Sequence, residues 1–181
     1  STGAEVAVSQ GPDPVTSAWN VYSVSQISDY QKLSVWSDGY YITDNTGSNN
    51  KVWALERTAM LAGAATPGIQ SFNLPGMVTS GFQSPQVLNV TDDVMPAAGG
   101  ATAIYLQDDA WGGVSFDHIK LWTIDVDWAT PANSTVSAAT QLAATPFISV
   151  FDGGSFSNLA QPGGGGNIDA LQATIMNQAQ F

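Results

Sequence analysis

The stretch Lys32–Asn45, KLSVWSDGYYITDN, decides the fold because it places two strand-like runs on either side of an Asp-Gly pair. Apolar and polar residues alternate before Ser37, and aromatic and β-branched residues follow Gly39. An Asp-Gly pair between such runs is typical of a β-hairpin with a type I′ turn, in which both central residues take positive φ. The stretch therefore predicts two antiparallel strands joined by a tight turn.

Short strand-like runs bounded by turn residues recur along the whole chain. The two clearest, Ala101–Asp109 and His118–Trp128, flank a loop that contains a Gly-Gly pair. Glu56–Gly63 is the exception, since it reads as one or two helical turns closed by a glycine. The pattern predicts an all-β fold of short antiparallel strands, and the C-terminal run from Ile168 fits a strand or a helix equally well.

The spacing of the strands favours propeller-like blades. A tryptophan-rich strand pair followed by a longer connection occurs in both halves, and 181 residues would hold about four blades of 40–45 residues. An incomplete arc of a larger β-propeller fits the uncapped ends better than a closed ring. We therefore expect residues 1–181 to form a single β-rich domain or a fragment of a larger one, completed by further domains or chains.

The composition limits both partners and compartment. Charged residues make up only 10% of the chain, and 15 acids against four bases give a net charge of −11. Such an acidic chain is a poor match for nucleic acid, whose phosphates need clustered Lys and Arg. Cysteine is absent and no apolar stretch is long enough to cross a membrane, so the sequence predicts no transmembrane segment. This composition favours a secreted or cell-surface protein.

Three acidic pairs are candidate calcium ligands, because calcium binds oxygen atoms and needs six to eight of them. Asp125 and Asp127 are alternate residues of a predicted strand and therefore share one face. The other two pairs lie in loops, where adjacent carboxylates converge only if the chain turns. The pairs are Asp125 with Asp127, Asp92 with Asp93, and Asp108 with Asp109.

The loop QDDAWGG offers the best ligand-binding residues. Trp111 stands beside two glycines there, which suggests an exposed ring suited to stacking on a sugar, with Asp108 and Asp109 at its rim. Most other aromatic residues are expected in cross-strand and core packing. No catalytic residues are predicted, because the one histidine, His118, has no accompanying nucleophile motif such as Gly-x-Ser-x-Gly.

One segment resembles a recurring part of large secreted bacterial proteins. That part runs Asp-Tyr-Pro-Lys, Trp-x-Asp-Gly-Tyr-Tyr, Ala-Leu-Asp/Glu-Arg and Met-Leu-Ala-Gly, and here Gln31 stands in place of the proline. The matching positions are Asp29, Tyr30, Lys32, Trp36, Asp38, Gly39, Tyr40, Tyr41, Ala54–Arg57 and Met60–Gly63. The resemblance implies an extracellular, propeller-like β-domain of a type IX secretion cargo protein, with no settled activity.

These observations favour a non-enzymatic binding or structural module that contacts glycan or other envelope proteins and is stabilised by calcium. Two alternatives stay open. A polysaccharide-acting hydrolase would use paired Asp residues about 5–10 Å apart in an open groove. A scaffolding subunit of an extracellular assembly would instead leave unpaired strand edges for other chains to cover.

Overall fold

The computed structural model describes residues 3–27, 29–45, 50–79, 85–149, 157–169 and 175–181. Over these ranges the chain forms short antiparallel strands with one short α-helix, which confirms the all-β class. The elements in chain order are β1 (Ala4–Ser9), β2 (Trp19–Val24), β3 (Lys32–Val35), β4 (Gly39–Thr43), β5 (Asn50–Glu56), α1 (Arg57–Leu61), β6 (Ile69–Asn73), β7 (Gln86–Val87), β8 (Ala101–Gln107), β9 (His118–Asp125), a 3-10 turn (Pro131–Asn133), β10 (Thr135–Val136), β11 (Thr140–Ala143), β12 (Ser157–Leu159) and β13 (Ile168–Asp169).

Strands β3, β4, β5 and β6 form an antiparallel meander, here called the first sheet. Its two central strands are buried on both faces. Tyr41 and Ala54 belong to one core cluster, whereas Ile42 and Trp53 belong to another on the opposite side. Alternation of buried and exposed residues is therefore lost in β4 and β5, because this sheet is the middle layer of the molecule.

The predicted β3–β4 hairpin is confirmed, but its predicted turn type is wrong. Neither Asp38 nor Gly39 has a positive φ, so the turn is not type I′. Gly39 is required for space instead. A Cβ atom at this position would lie 3.0 Å from Cε2 of Tyr41, closer than such contacts normally allow.

Strands β7, β8 and β9 form the second sheet, and both β10 and β11 pair with β9. Its residues alternate between buried and partly exposed positions along β8 and β9, as expected when only one face is covered. The covered face packs on the first sheet in an aromatic core that contains Trp36, Tyr41, Phe72, Tyr105, Trp111 and Trp122.

The β1–β2 hairpin covers the other face of the first sheet. Val8 and Tyr22 from the hairpin pack in one cluster with Leu55 of β5 and Met60 of the helix. The helix, Arg57–Leu61, lies within the predicted Glu56–Gly63, and Gly63, whose φ is +72°, closes it as predicted. The hairpin is two strands wide, whereas the sheet beneath it has four.

The C-terminal region contributes one short strand to a hairpin and then returns to the second sheet. β13 pairs with β12, and residues 170–174 lie outside the described ranges. A parallel bridge joins Gln180 to Asn89, and residues 175–181 contain no helix.

Hairpin, first sheet and second sheet are thus stacked as three layers. Face-to-face stacking of antiparallel layers is compatible with neighbouring blades, but the radial arrangement of a propeller stays a prediction. Among the described residues, the only α-helix is too short to cross a lipid bilayer.

Candidate functional site

The loop between β8 and β9 brings three carboxylates together. Asp108, Asp109 and Asp117 each offer an oxygen atom, and these atoms lie within 4.8 Å of one another. Asp108 and Asp117 are buried and Asp109 is exposed. The sequence pointed to Asp108 and Asp109 but not to Asp117, because Asp117 comes close to them only when the loop folds back on itself. Over the described ranges this is the one cluster of its kind.

The carboxylate of Asp108 holds a distant segment against this loop by accepting hydrogen bonds from it. Its Oδ1 accepts a hydrogen bond from the Ala110 N–H at 2.7 Å. Its Oδ2 accepts two from Ser149, one from the N–H and one from the hydroxyl, both at 2.6 Å. Ser149 is 41 residues further along the chain, so this side chain closes a long-range contact.

Asp117 fastens the same segment from the other side of the loop. Its Oδ1 accepts from the Asp109 N–H at 3.0 Å, and its Oδ2 accepts from the Phe147 N–H at 2.8 Å. Its backbone carbonyl accepts from the Ala144 N–H at 2.9 Å. Both oxygens of each buried carboxylate therefore serve as acceptors for backbone donors. Chemically, the arrangement orients a loop and leaves the Asp109 carboxylate facing solvent.

Trp111 is not the exposed contact residue that the sequence predicted. Its side chain is only 5% exposed and belongs to the core between the two sheets. Its ring centroid lies 6.1 Å from that of Tyr105, and its N–H is buried with no hydrogen-bond partner among the described residues. The reason is that hydrogen bonds accepted by the carboxylates of Asp108 and Asp117 hold the loop inward, despite its glycines.

Asp125 and Asp127 accept hydrogen bonds from two different segments of the chain. β9 ends at Asp125, whose Oδ1 accepts from the Gly100 N–H at 2.8 Å. Asp127 accepts from the Thr130 N–H at 2.7 Å and from the Asn133 side chain at 3.2 Å. The Thr130 bond, followed by the Asn133 bond, lowers the pKa of Asp127 below its ordinary value. Asp127 thus organises the turn that follows β9, whereas Asp125 holds the segment before β8.

Asp92 and Asp93 lie side by side on the surface. Oδ1 of Asp92 accepts from the Val94 N–H two residues later, at 3.1 Å, in a local turn. Both side chains are exposed, and neither belongs to the acidic cluster in the β8–β9 loop. As calcium ligands these two residues stay a prediction.

Asp38, from the stretch that decides the fold, connects three loops at one end of the stack. Its carboxylate accepts from the Tyr41 hydroxyl at 3.1 Å and from the Gly99 N–H at 2.9 Å. Its carbonyl accepts from the Trp128 indole N–H at 3.0 Å. Burial, and then the negative charge of Asp38, raise the pKa of Tyr41 well above its ordinary value. The Asp-Gly turn therefore joins the first sheet to the second.

Apolar hollows flank the β1–β2 hairpin where it fails to cover the first sheet. On the β1 side, two hollows of about 360 and 210 Å³ run between β1 and β3, and both are lined by Leu33. On the β2 side, a hollow of about 310 Å³ is lined by Ile69. Sequence reasoning did not predict these features, since they depend on how many strands each layer holds.

Comparisons with known proteins add no relative to this description: no protein-family model, curated protein or solved structure matches the chain.

Proposed function

We propose that this chain is a non-enzymatic binding and structural module of a secreted or cell-surface bacterial protein, and that its partners are other envelope proteins. The observation that carries the proposal is that its carboxylates are hydrogen-bonded within the protein. Asp108 and Asp117 accept hydrogen bonds from backbone donors on both oxygens. Asp92, Asp125 and Asp127 also accept from backbone N–H groups.

The burial of aromatic residues supports a protein partner over a glycan. A sugar platform needs exposed ring faces, yet four of the six tryptophans are buried in the cores. Trp19 is 46% exposed, but it stands in a hairpin strand rather than in a cleft. Three exposed apolar side chains, Val21, Leu33 and Ile69, lie instead on outer strands, where a protein partner can pair its backbone. The buried tryptophans are Trp36, Trp53, Trp111 and Trp122.

Extracellular placement is supported by composition and by the resemblance described above. A chain with 10% charged residues and no cysteine has the neutral polar surface expected of secreted β-proteins. The stacked antiparallel layers are compatible with the propeller-like domain that the resemblance implies. We therefore retain a secreted or surface location as part of the proposal.

A hydrolysis assay tests the central claim. The purified chain is incubated with soluble β-glucan, xylan and mannan, and reducing ends are measured over time. We expect no release above the rate without protein. Release that is abolished by Asp125→Asn or Asp109→Asn would overturn the proposal and favour the hydrolase alternative.

Calcium binding is a second candidate function, favoured by the three converging carboxylates of the β8–β9 loop. Like charges within 4.8 Å repel one another, and a calcium ion would offset that repulsion. We propose that calcium stabilises this loop, with Asp109 as its most accessible ligand. The melting temperature should then be higher in millimolar calcium than in chelator, and less so for Asp109→Asn. An unchanged melting temperature would contradict this second proposal.

A further inference from the structure

We propose that the edge of β1 that faces away from β2 is a docking site for one extended peptide strand of a partner protein, which lies over an apolar groove beside β3. This inference rests on the proposed function and names the surface through which it is carried out. The expected partner strand has apolar residues at alternate positions and a positive net charge.

Adjacent layers of the molecule differ in width. In the described part of the chain, β1 has β2 as its one neighbour, whereas the sheet below is four strands wide. Leu33 on β3 is consequently 49% exposed although it faces the hairpin side. One additional strand beside β1 would cover it.

The backbone N–H and C=O groups of β1 point alternately toward β2 and away from it. The Gln10 N–H donates to the Ala18 carbonyl at 2.9 Å, which continues the ladder between β1 and β2. Hydrogen-bonded positions alternate in an antiparallel pair, so even-numbered residues of β1 point toward β2. The N–H and C=O groups of Glu5, Ala7 and Ser9 therefore point toward the groove, where they can pair with an added strand.

The groove beside β1 is lined mainly by apolar residues. The two hollows follow β1 from Ala4 to Ser9, a length of about 20 Å for a six-residue strand. Side chains on one face of an added strand would enter these hollows, which requires apolar residues at every second position. The lining residues contributed by the first sheet and its approach are Gln31, Leu33, Val35, Tyr40 and Ile42.

Charge selects the occupant. Glu5 lines the groove, and the chain as a whole carries a net charge of −11. Two of the four basic side chains, Lys51 and Lys120, are buried and contribute little to the surface. A second copy of this chain would be repelled by like charge, whereas a basic strand would be attracted.

The test uses a labelled peptide, Lys-Val-Thr-Val-Thr-Val-Lys, whose valines occupy alternate positions. Binding to the full chain is measured by fluorescence polarisation. Two further peptides carry N-methyl groups on the valine amides or on the threonine amides. If the peptide pairs with β1 through one of its edges, methylation of the amides on that edge should abolish binding. Methylation of the amides on the other edge should leave binding intact. Equal binding of both forms would overturn the proposal.

Matched protein variants locate the edge. Ala7→Pro removes an outward N–H from β1, and Val21→Pro removes the equivalent one from β2 without breaking a bond between the two strands. Ala7→Pro should weaken binding about tenfold, whereas Val21→Pro should leave it unchanged. Circular dichroism melts confirm that both variants fold. Equal effects of the two prolines would contradict docking at β1.

Groove variants at exposed positions keep the test informative if a proline variant fails to fold. Leu33→Gln should weaken peptide binding several-fold, and Ile69→Gln, at 41% exposure beside β2, should not. Failure of the peptide to bind the unaltered chain, or a dimer that Leu33→Gln dissociates, overturns the inference while the absence of hydrolysis still stands. Sugar release overturns the proposed function whatever the peptide result.

Discussion

The β8–β9 loop and the groove beside β1 use their residues in opposite ways. The loop has the acidic and aromatic residues that a binding site would need, yet Asp108, Asp117 and Trp111 all point inward. The groove has ordinary apolar residues, yet Leu33 remains half exposed beside a strand edge that has no partner strand among the described residues. Residue type alone therefore does not identify an interaction surface. What matters is whether the side chain and its neighbouring backbone already have partners.

The largest expected effect tests the loop side of this comparison. Asp108→Asn places an amide where the carboxylate accepts three hydrogen bonds, and it should lower the free energy of unfolding by about 3 kcal/mol. Asp109→Asn is the matched control, because it removes the same charge from an exposed side chain and should cost less than about 0.5 kcal/mol. Urea unfolding measures both. Equal losses would mean that charge, and not the inward hydrogen bonds, decides the stability of the loop.

The buried tyrosine hydroxyl of Tyr41 should also make the stability of the fold decrease at alkaline pH. The pKa of Tyr41 is raised by burial and by Asp38, so the folded chain retains this proton where the unfolded chain has lost it. Stability is therefore complete below about pH 10 and falls above it, by about 1.4 kcal/mol per pH unit for one such group. Burial raises the pKa of Tyr105 in the same direction.

Measurement above pH 10.5 isolates this effect. Burial lowers the pKa of Lys120 below its ordinary value of 10.5. This shift makes stability rise with pH up to about pH 10.5, and above that pH it no longer changes stability. Urea unfolding at successive pH values should give a shallower decline for Tyr41→Phe than for the unaltered chain. An identical decline in both would show that Tyr41 does not keep its proton in the folded state.

Local patterns predicted the strands well, because alternation and turn residues depend on near neighbours in sequence. The hairpin around Asp38 and the short helix closed by Gly63 are confirmed in this way. The burial of Trp111 could not be predicted, since it depends on a hydrogen bond from Ser149 to Asp108 across 41 residues. The groove could not be predicted either, because no local pattern tells how many strands lie in one layer.

The smallest expected effect on stability, that of Leu33→Gln, shows whether the groove contributes to folding or to docking. Leu33→Gln should change the free energy of unfolding by no more than about 0.5 kcal/mol, because the side chain is already half exposed and removes little apolar surface from water. Urea unfolding measures this value, with Val8→Ala, in the buried hairpin core, as the contrasting variant expected to cost at least about 1 kcal/mol. A large loss for Leu33→Gln would make the residue part of the core. A negligible loss together with weaker peptide binding means that this apolar side chain contributes to docking and not to folding.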